Sequence, residues 1–185
     1  MTSDIKLVDR ALAHVVNEEN LLIRSVWALP EPDNFASRFS VSGTHPYLYE
    51  NAAIANHVTG TTFVDVGRQL LKAIAHLYYD LPLDVRFVLH GIDVKYLRWV
   101  KLGVDIEVQI KVTIDHRPRS EVRHTCDVDM SFTQEGRRVV EAKTSFTTLS
   151  RQLEDKLMMK QYSEAPLLAQ PVTADVQLGR ASAIA

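Results

Sequence analysis

The sequence predicts an α+β fold in which one long helix is wrapped by a curved antiparallel β-sheet. Three observations carry that prediction. Helical periodicity of apolar residues is strong in one segment, Phe63–Tyr79. Strict alternation marks a later one, where Val104, Ile106, Val108, Ile110, Val112 and Ile114 share a face and Asp105, Glu107, Gln109, Lys111 and Thr113 share the other. Further strand-like segments flank the helix, two before it and several after it.

Taken in order, residues 1–20 read as a polar, partly helical leading segment. Leu21–Leu29 is apolar, β-branched and aromatic, as a strand requires, and Pro30-Glu31-Pro32-Asp33-Asn34 ends it with turn chemistry. Phe35, Ser37, Phe39 and Val41 then repeat with a period of two. Ser42–Thr62 is rich in loop residues and long for a connection without structure, which suggests a functional loop or one that carries short helices.

In the helix, Phe63, Val66, Leu70, Ala73 and Leu77 form a stripe that Gly67, Leu71, Ile74 and Tyr78 widen. Thr61 or Thr62 is placed to cap it, Asp65 falls in its expected first turn, and Asp80 with Pro82 stops it. Val85–Val100 follows, with Gly91 a candidate bulge. Val122–Thr133 and Arg138–Leu149 form a hairpin across Gln134-Glu135-Gly136-Arg137, with Gly136 suited to a left-handed turn position. Ser150–Met159 suggests a short helix. The expected organisation is one domain over residues 1–160 and a mobile tail over 161–185. A sheet of this kind leaves an edge to be paired, which favours a homodimer.

Composition narrows the function classes. A net charge of −2 offers no electrostatic basis for binding nucleic acid or an anionic membrane surface. No run approaches the ~18 apolar residues of a membrane helix, and no secretory signal pattern opens the chain. Cys126 is the only cysteine, so neither an internal disulfide nor a thiolate metal cluster is expected. The expected setting is the cytoplasm. The histidines show no metal-ligand spacing, and neither a metal nor a cofactor is expected. Nucleotide-binding glycine motifs and a hydrolase nucleophile elbow are missing as well.

Two clusters remain that could do chemistry: Thr44-His45-Pro46-Tyr47-Leu48-Tyr49 in the loop, and Asp65-Val66-Gly67-Arg68-Gln69 on the helix. Asp65 and Gln69 are four residues apart and share a face, and Arg68 lies beside Asp65. A loop histidine and a helix carboxylate make an acid–base pair when brought together, because histidine titrates near neutral pH. Gly67 permits close approach to the helix at a cost of ~1 kcal/mol against alanine. Plainer roles compete with each of these. Asp65 is equally suited to complementing the helix dipole or to a structural ion pair with Arg68. His45 before a proline fits an exposed loop position, Lys72 and His76 fit a surface or interface, and mid-strand Cys126 fits a small packed residue.

The run from about Val15 to Arg117 resembles the hotdog domain of the A-factor biosynthesis (AfsA-type) proteins. The likeness rests on Asn17–Ile23, on Phe35–Thr44 followed by His45-Pro46-Tyr47-Leu48-Tyr49, on Phe63–Gln69, and on Ala75-His76 leading to Leu81-Pro82-Leu83. More distantly the layout is similar to the hotdog β-hydroxyacyl-ACP dehydratases, in which a loop histidine and a helix carboxylate meet across a dimer interface. The resemblance implies an enzyme acting on acyl-ACP or acyl-CoA by dehydration or acyl transfer. His45 of one subunit would face Asp65 of the other in a composite site, with Gly67, Arg68, Gln69, Tyr47 and Tyr49 binding or orienting. It also implies transfer of a β-ketoacyl group to dihydroxyacetone phosphate as the family reaction. Two departures weaken that last implication: the signal-forming members usually carry tandem repeats where one is present here, and Asp65 stands where glutamate is common. A non-catalytic acyl-binding or scaffolding module and a hotdog thioesterase are the alternatives.

Overall fold

A computed structural model describes residues 4–42, 57–115 and 123–164. The strands are β1 (Ile5–Leu7), β2 (Ser25–Ala28), β3 (Asn34–Phe39), β4 (Arg86–Tyr96), β5 (Ile106–Asp115), β6 (Arg123–Gln134) and β7 (Arg137–Leu149). The helices are α1 (Arg10–Ala13), α2 (Gly60–Tyr78) and α3 (Arg151–Glu164), with a 3-10 turn at Glu18–Asn20. All seven strands join one antiparallel sheet in the order β1-β2-β3-β5-β6-β7-β4. The sheet bends around α2, and one hydrophobic core lies between them.

The alternation seen in the sequence explains this arrangement. Ile106, Val108, Ile110 and Val112 of β5 are buried, as are Cys126, Val128, Met130 and Phe132 of β6 and Val140, Ala142 and Phe146 of β7. Against them α2 buries Phe63, Val66, Leu70, Ala73 and Ile74. Each large side chain removed from water here contributes roughly 1.5–3 kcal/mol, so helix and sheet hold each other. The hairpin has Glu135 at φ 51 and Gly136 at φ 73, the two positive values that a two-residue type I′ turn needs.

β4 keeps its apolar residues on the inner side by means of a bulge. Leu89 pairs with Phe146 and Gly91 with Ser145, so His90 is the extra residue. Without it, Phe87 and Leu89 would face opposite to Ile92, Val94 and Tyr96. The sequence spacing Phe-x-Leu-x-x-Ile-x-Val-x-Tyr already contains the one-residue step that the bulge absorbs.

Some expectations need correction. The helix starts a turn earlier than predicted: Thr59, not Thr61 or Thr62, holds the cap position. Its hydroxyl lies 3.2 Å from those of Thr61 and Thr62 and caps no backbone amide. Asp65 therefore sits in the second turn, where the dipole has largely faded. The strand expected over 21–29 shrinks to Ser25–Ala28, because Leu21–Ile23 turn inward to meet α2. β1 lies in the segment expected to be polar and partly helical, and its three residues are too few to show a period. Residues 161–164 of the expected tail over 161–185 belong to α3, which runs five residues past Met159, and the rest of that tail lies outside the described residues.

The leading segment is pinned to α2 by Gln69, a fully buried residue. Its Oε1 accepts from the amides of Leu22 (2.9 Å) and Ile23 (3.4 Å). Its Nε2 donates to the Asn20 carbonyl (2.8 Å) and to Asp65 Oδ2 (2.6 Å). Two acceptor sites and two N–H groups are all a side-chain amide has, and all are used. Gln69→Met keeps the shape and removes the bonds, leaving two amides and a carbonyl stranded at about 1–3 kcal/mol each where they stay dry. Urea unfolding is expected to show a loss of about 3 kcal/mol; a loss below about 1 kcal/mol would contradict the assignment.

Candidate functional site

Of the residues singled out in the sequence, Asp65, Gly67, Arg68 and Gln69 are brought together on α2. His45, Tyr47 and Tyr49 lie outside the described residues. Asp65 Oδ1 accepts from Arg68 at 2.7 Å from Nε and 2.6 Å from a terminal nitrogen, while Oδ2 accepts from Gln69. The carboxylate is fixed from both sides and its side chain is 16% exposed. A carboxylate offers about four lone pairs, so another donor still has room to approach. The ion pair weighed as the plainer role for Asp65 is thus present.

A second flank of α2 is different in character. An apolar cavity of about 150 Å³ runs along Val64, Gly67, Arg68, Leu71 and Lys72, closed on the sheet side by Phe87, Met130 and Phe146 among others. Gly67 forms part of its wall. A Cβ at this position would come within 2.8 Å of the Met130 sulfur, so the glycine lets the Met130 side chain approach the helix. Asp65 does not line this cavity; Arg68 connects the two flanks.

At the start of α2 lies an open cleft of about 440 Å³, lined by His57, Gly60, Tyr96 and Trp99 among others. The segment before the helix is anchored by the Val58 amide donating to the Val100 carbonyl (2.9 Å) and by a bridge between His57 and Lys101. The His57 and Trp99 rings meet edge to face at 4.5 Å. A Cβ on Gly60 would lie 2.5 Å from the Tyr96 hydroxyl, so the glycine lets that ring approach the helix start. Sequence reasoning passed over Gly60, Tyr96 and Trp99. A glycine directly before a helical run was the one available signal.

Lys72 and His76, assigned by their pattern to a surface or interface, are half-buried and buried. His76 Nδ1 lies 2.7 Å from the Leu81 carbonyl, which can only accept, so Nδ1 carries the proton. In the neutral His76 ring Nε2 then accepts from His14 Nε2–H at 2.8 Å. The Phe87 ring stands nearly perpendicular to both imidazoles. His14 has φ 50, a left-handed conformation that closes α1. Burial first, then the neighbouring Lys72 and His76, push its pKa from 6.5 down to about 4. Burial, followed by Arg68, lowers Lys72 from 10.5 to about 8. Burial, with Asp127 adding to it, raises Cys126 to about 12, consistent with a packed thiol and not a nucleophile.

No group of three or more potential metal ligands occurs among the described residues. No helix among them is long and apolar enough to cross a membrane.

One long helix wrapped by a single antiparallel sheet, with a cavity between helix and sheet, defines a hotdog domain. The chain belongs to the A-factor biosynthesis hotdog domain family, whose pattern matches residues 1–150. No curated protein matches it. Among solved structures it is similar to a chain of the dehydratase heterocomplex ApeI:P from Xenorhabdus doucetiae. That match has a TM-score of 0.59 and 14% identity and covers 83% of this chain and 97% of the other. A hot-dog-like protein from Thermanaerovibrio acidaminovorans matches with a TM-score of 0.52 and 19% identity, covering 72% and 93%. At these identities the likeness is one of fold.

The burial of His14 beside Lys72 has a consequence for acid stability. The unfolded chain takes up the His14 proton near pH 6.5 and the native state near 4, so this group removes stability as pH falls across that window. His14→Asn tolerates the left-handed backbone but lacks the ring. At pH 7 it is expected to cost about 1 kcal/mol, the hydrogen bond, and its deficit against wild type should shrink as urea midpoints are measured down to pH 4.5. A deficit independent of pH would contradict this.

Proposed function

We propose that this hotdog domain acts on acyl thioesters, carried by ACP or CoA, through dehydration or acyl transfer. The acyl chain lies in the cavity between α2 and the sheet, and the thioester carbonyl faces the amides at the start of α2. His45 moves the proton next to that carbonyl, and Asp65 orients its imidazole. Arg68 and Gln69 hold Asp65 in place. The observation that carries this reading is the apolar cavity on the Gly67 flank of a helix whose neighbouring flank presents a fixed carboxylate. Family membership supports acyl-derived biosynthesis, and the similar fold in a dehydratase heterocomplex fits dehydration.

The active unit in this reading is a homodimer built through β4. Its outer edge has no strand partner among the described residues. Its inner face leaves Leu89 56% and Ile92 37% exposed beside the cavity. A long apolar edge strand of this kind is stabilised by pairing with a second copy. In that dimer His45 of one subunit would face Asp65 of the other and complete the site.

Asp65 favours a second reading. Both of its oxygens are occupied and it lines neither cavity, so a non-catalytic acyl-binding module is consistent with the same geometry. Incubation with β-hydroxyacyl, β-ketoacyl and saturated acyl thioesters on ACP and CoA, followed by mass spectrometry, separates the two. Catalysis predicts turnover of one class that falls about 100-fold or more in His45→Ala, the usual scale of general acid–base catalysis. Identical behaviour of wild type and His45→Ala on every substrate would refute the site. Acyl affinity that survives Asp65→Asn with no turnover supports the binding module.

For the dimer, sedimentation of Leu89→Asp/Ile92→Asp is expected to show a monomer where wild type is dimeric. A monomeric wild type would contradict the β4 interface.

A further inference from the structure

The cavity beside α2 has one feature that an ordinary acyl pocket does not need. Its lining is apolar except for Thr144, Arg68 and Lys72. The Arg68 guanidinium is committed to Asp65 at 2.6–2.7 Å. Lys72 has no carboxylate bonded to it among the described residues; its ammonium stands 5.7 Å from the centre of the Phe87 ring, another wall of the cavity.

The surrounding charges leave Lys72 as the surplus. On its own helix, Asp65 is balanced by Arg68. From β4, Arg86 is balanced by Glu154 of α3 at 2.8 Å. His14 from α1 and His76 are committed to each other in a donor–acceptor pair. A half-buried cation without an anion is unfavourable, and its lowered pKa reflects that cost. An anion arriving through the cavity would remove it.

We propose that this cavity binds a short aliphatic chain ending in a carboxylate, with the Lys72 ammonium as its counter-ion. The size fits: at ~30 Å³ per water-sized group, about 150 Å³ accommodates roughly five such groups. The charge fits as well, because a single free ammonium compensates a carboxylate but not a dianionic phosphate. The chain lies along Leu71, Phe87, Met130 and Phe146, and the carboxylate turns toward Lys72 over the Phe87 ring. The inference rests on the cavity being the acyl site proposed above and adds the chemistry of its ligand. That carboxylate belongs either to a free short-chain acid or to the far end of a dicarboxylic acyl thioester.

Calorimetric titration with hexanoate and hexan-1-ol at pH 7 tests it, using the full chain and Lys72→Met. Wild type is expected to prefer hexanoate by about tenfold or more. Lys72→Met should lose that preference and bind hexan-1-ol as wild type does, and Lys72→Arg should retain part of it. The preference should decline as pH rises past about 8, since Lys72 loses its proton there while the carboxylate stays ionised. A second arm compares the N-acetylcysteamine thioesters of hexanoic and adipic acid, which carry no phosphate. A Lys72-dependent gain for the adipoyl thioester identifies the dicarboxylic source, and its absence beside tight hexanoate binding identifies the free acid. Equal affinity of wild type for hexanoate and hexan-1-ol, binding of neither, or a preference that persists in Lys72→Met overturns the proposal. These are binding measurements, so a catalytically silent His45 or Asp65 leaves them unaffected, and failure here leaves the turnover test standing.

Discussion

The buried amide of Gln69 is the constraint on which the arrangement depends. It sits inside the core with four polar partners, and each bond it makes excludes alternatives for the chain around it. Leu21–Ile23 cannot continue β2 while two of their amides point at α2. Asp65 cannot swing freely while one oxygen is held by Gln69 and the other by Arg68. In a low-dielectric interior such a network is strong when complete and costly when broken. The Arg-Gln pair of the family-like motif therefore has a structural duty before any catalytic one.

That clamp makes α2 a helix with two unlike flanks. On the Gln69 side the leading segment closes over it, reinforced by Lys6 Nζ donating to the Leu77 carbonyl at 2.6 Å and by the His14–His76 pair. On the Gly67 side only β4 and its neighbours face the helix, and β4 is the edge of the sheet. The cavity exists because closure on one flank is not matched on the other. The bulge at His90 directs Phe87, Leu89 and Ile92 toward that space, which gives it an apolar wall. In the proposed reading both the substrate chain and the second subunit lie on this open flank.

Much of the fold was legible because the sheet strands are long and alternate. A period of two persists through β5, and the apolar stripe of α2 holds for more than four turns. The hairpin and the bulge were also readable, since Gly136 and Gly91 punctuate runs that are otherwise regular. The site was less legible. Asp65, Arg68 and Gln69 are near neighbours in sequence, so helical spacing alone places them together. His14 and His76 are 62 residues apart and pair only through the tertiary fold. Lys72 resembles any surface lysine in a helical pattern; its burial depends on Phe87, which arrives from another element. Tyr96 approaches Gly60 for the same reason.

The most direct measurement of the central claim is a crystal structure of the protein with a non-hydrolysable acyl-pantetheine analogue. The chain should lie between α2 and the sheet beside Gly67 and Lys72, with the carbonyl at the start of α2. His45 should stand within hydrogen-bonding reach of Asp65 and the reacting carbon. An acyl chain bound on the outer face of the sheet, or His45 remote from both Asp65 and the ligand, would contradict the account.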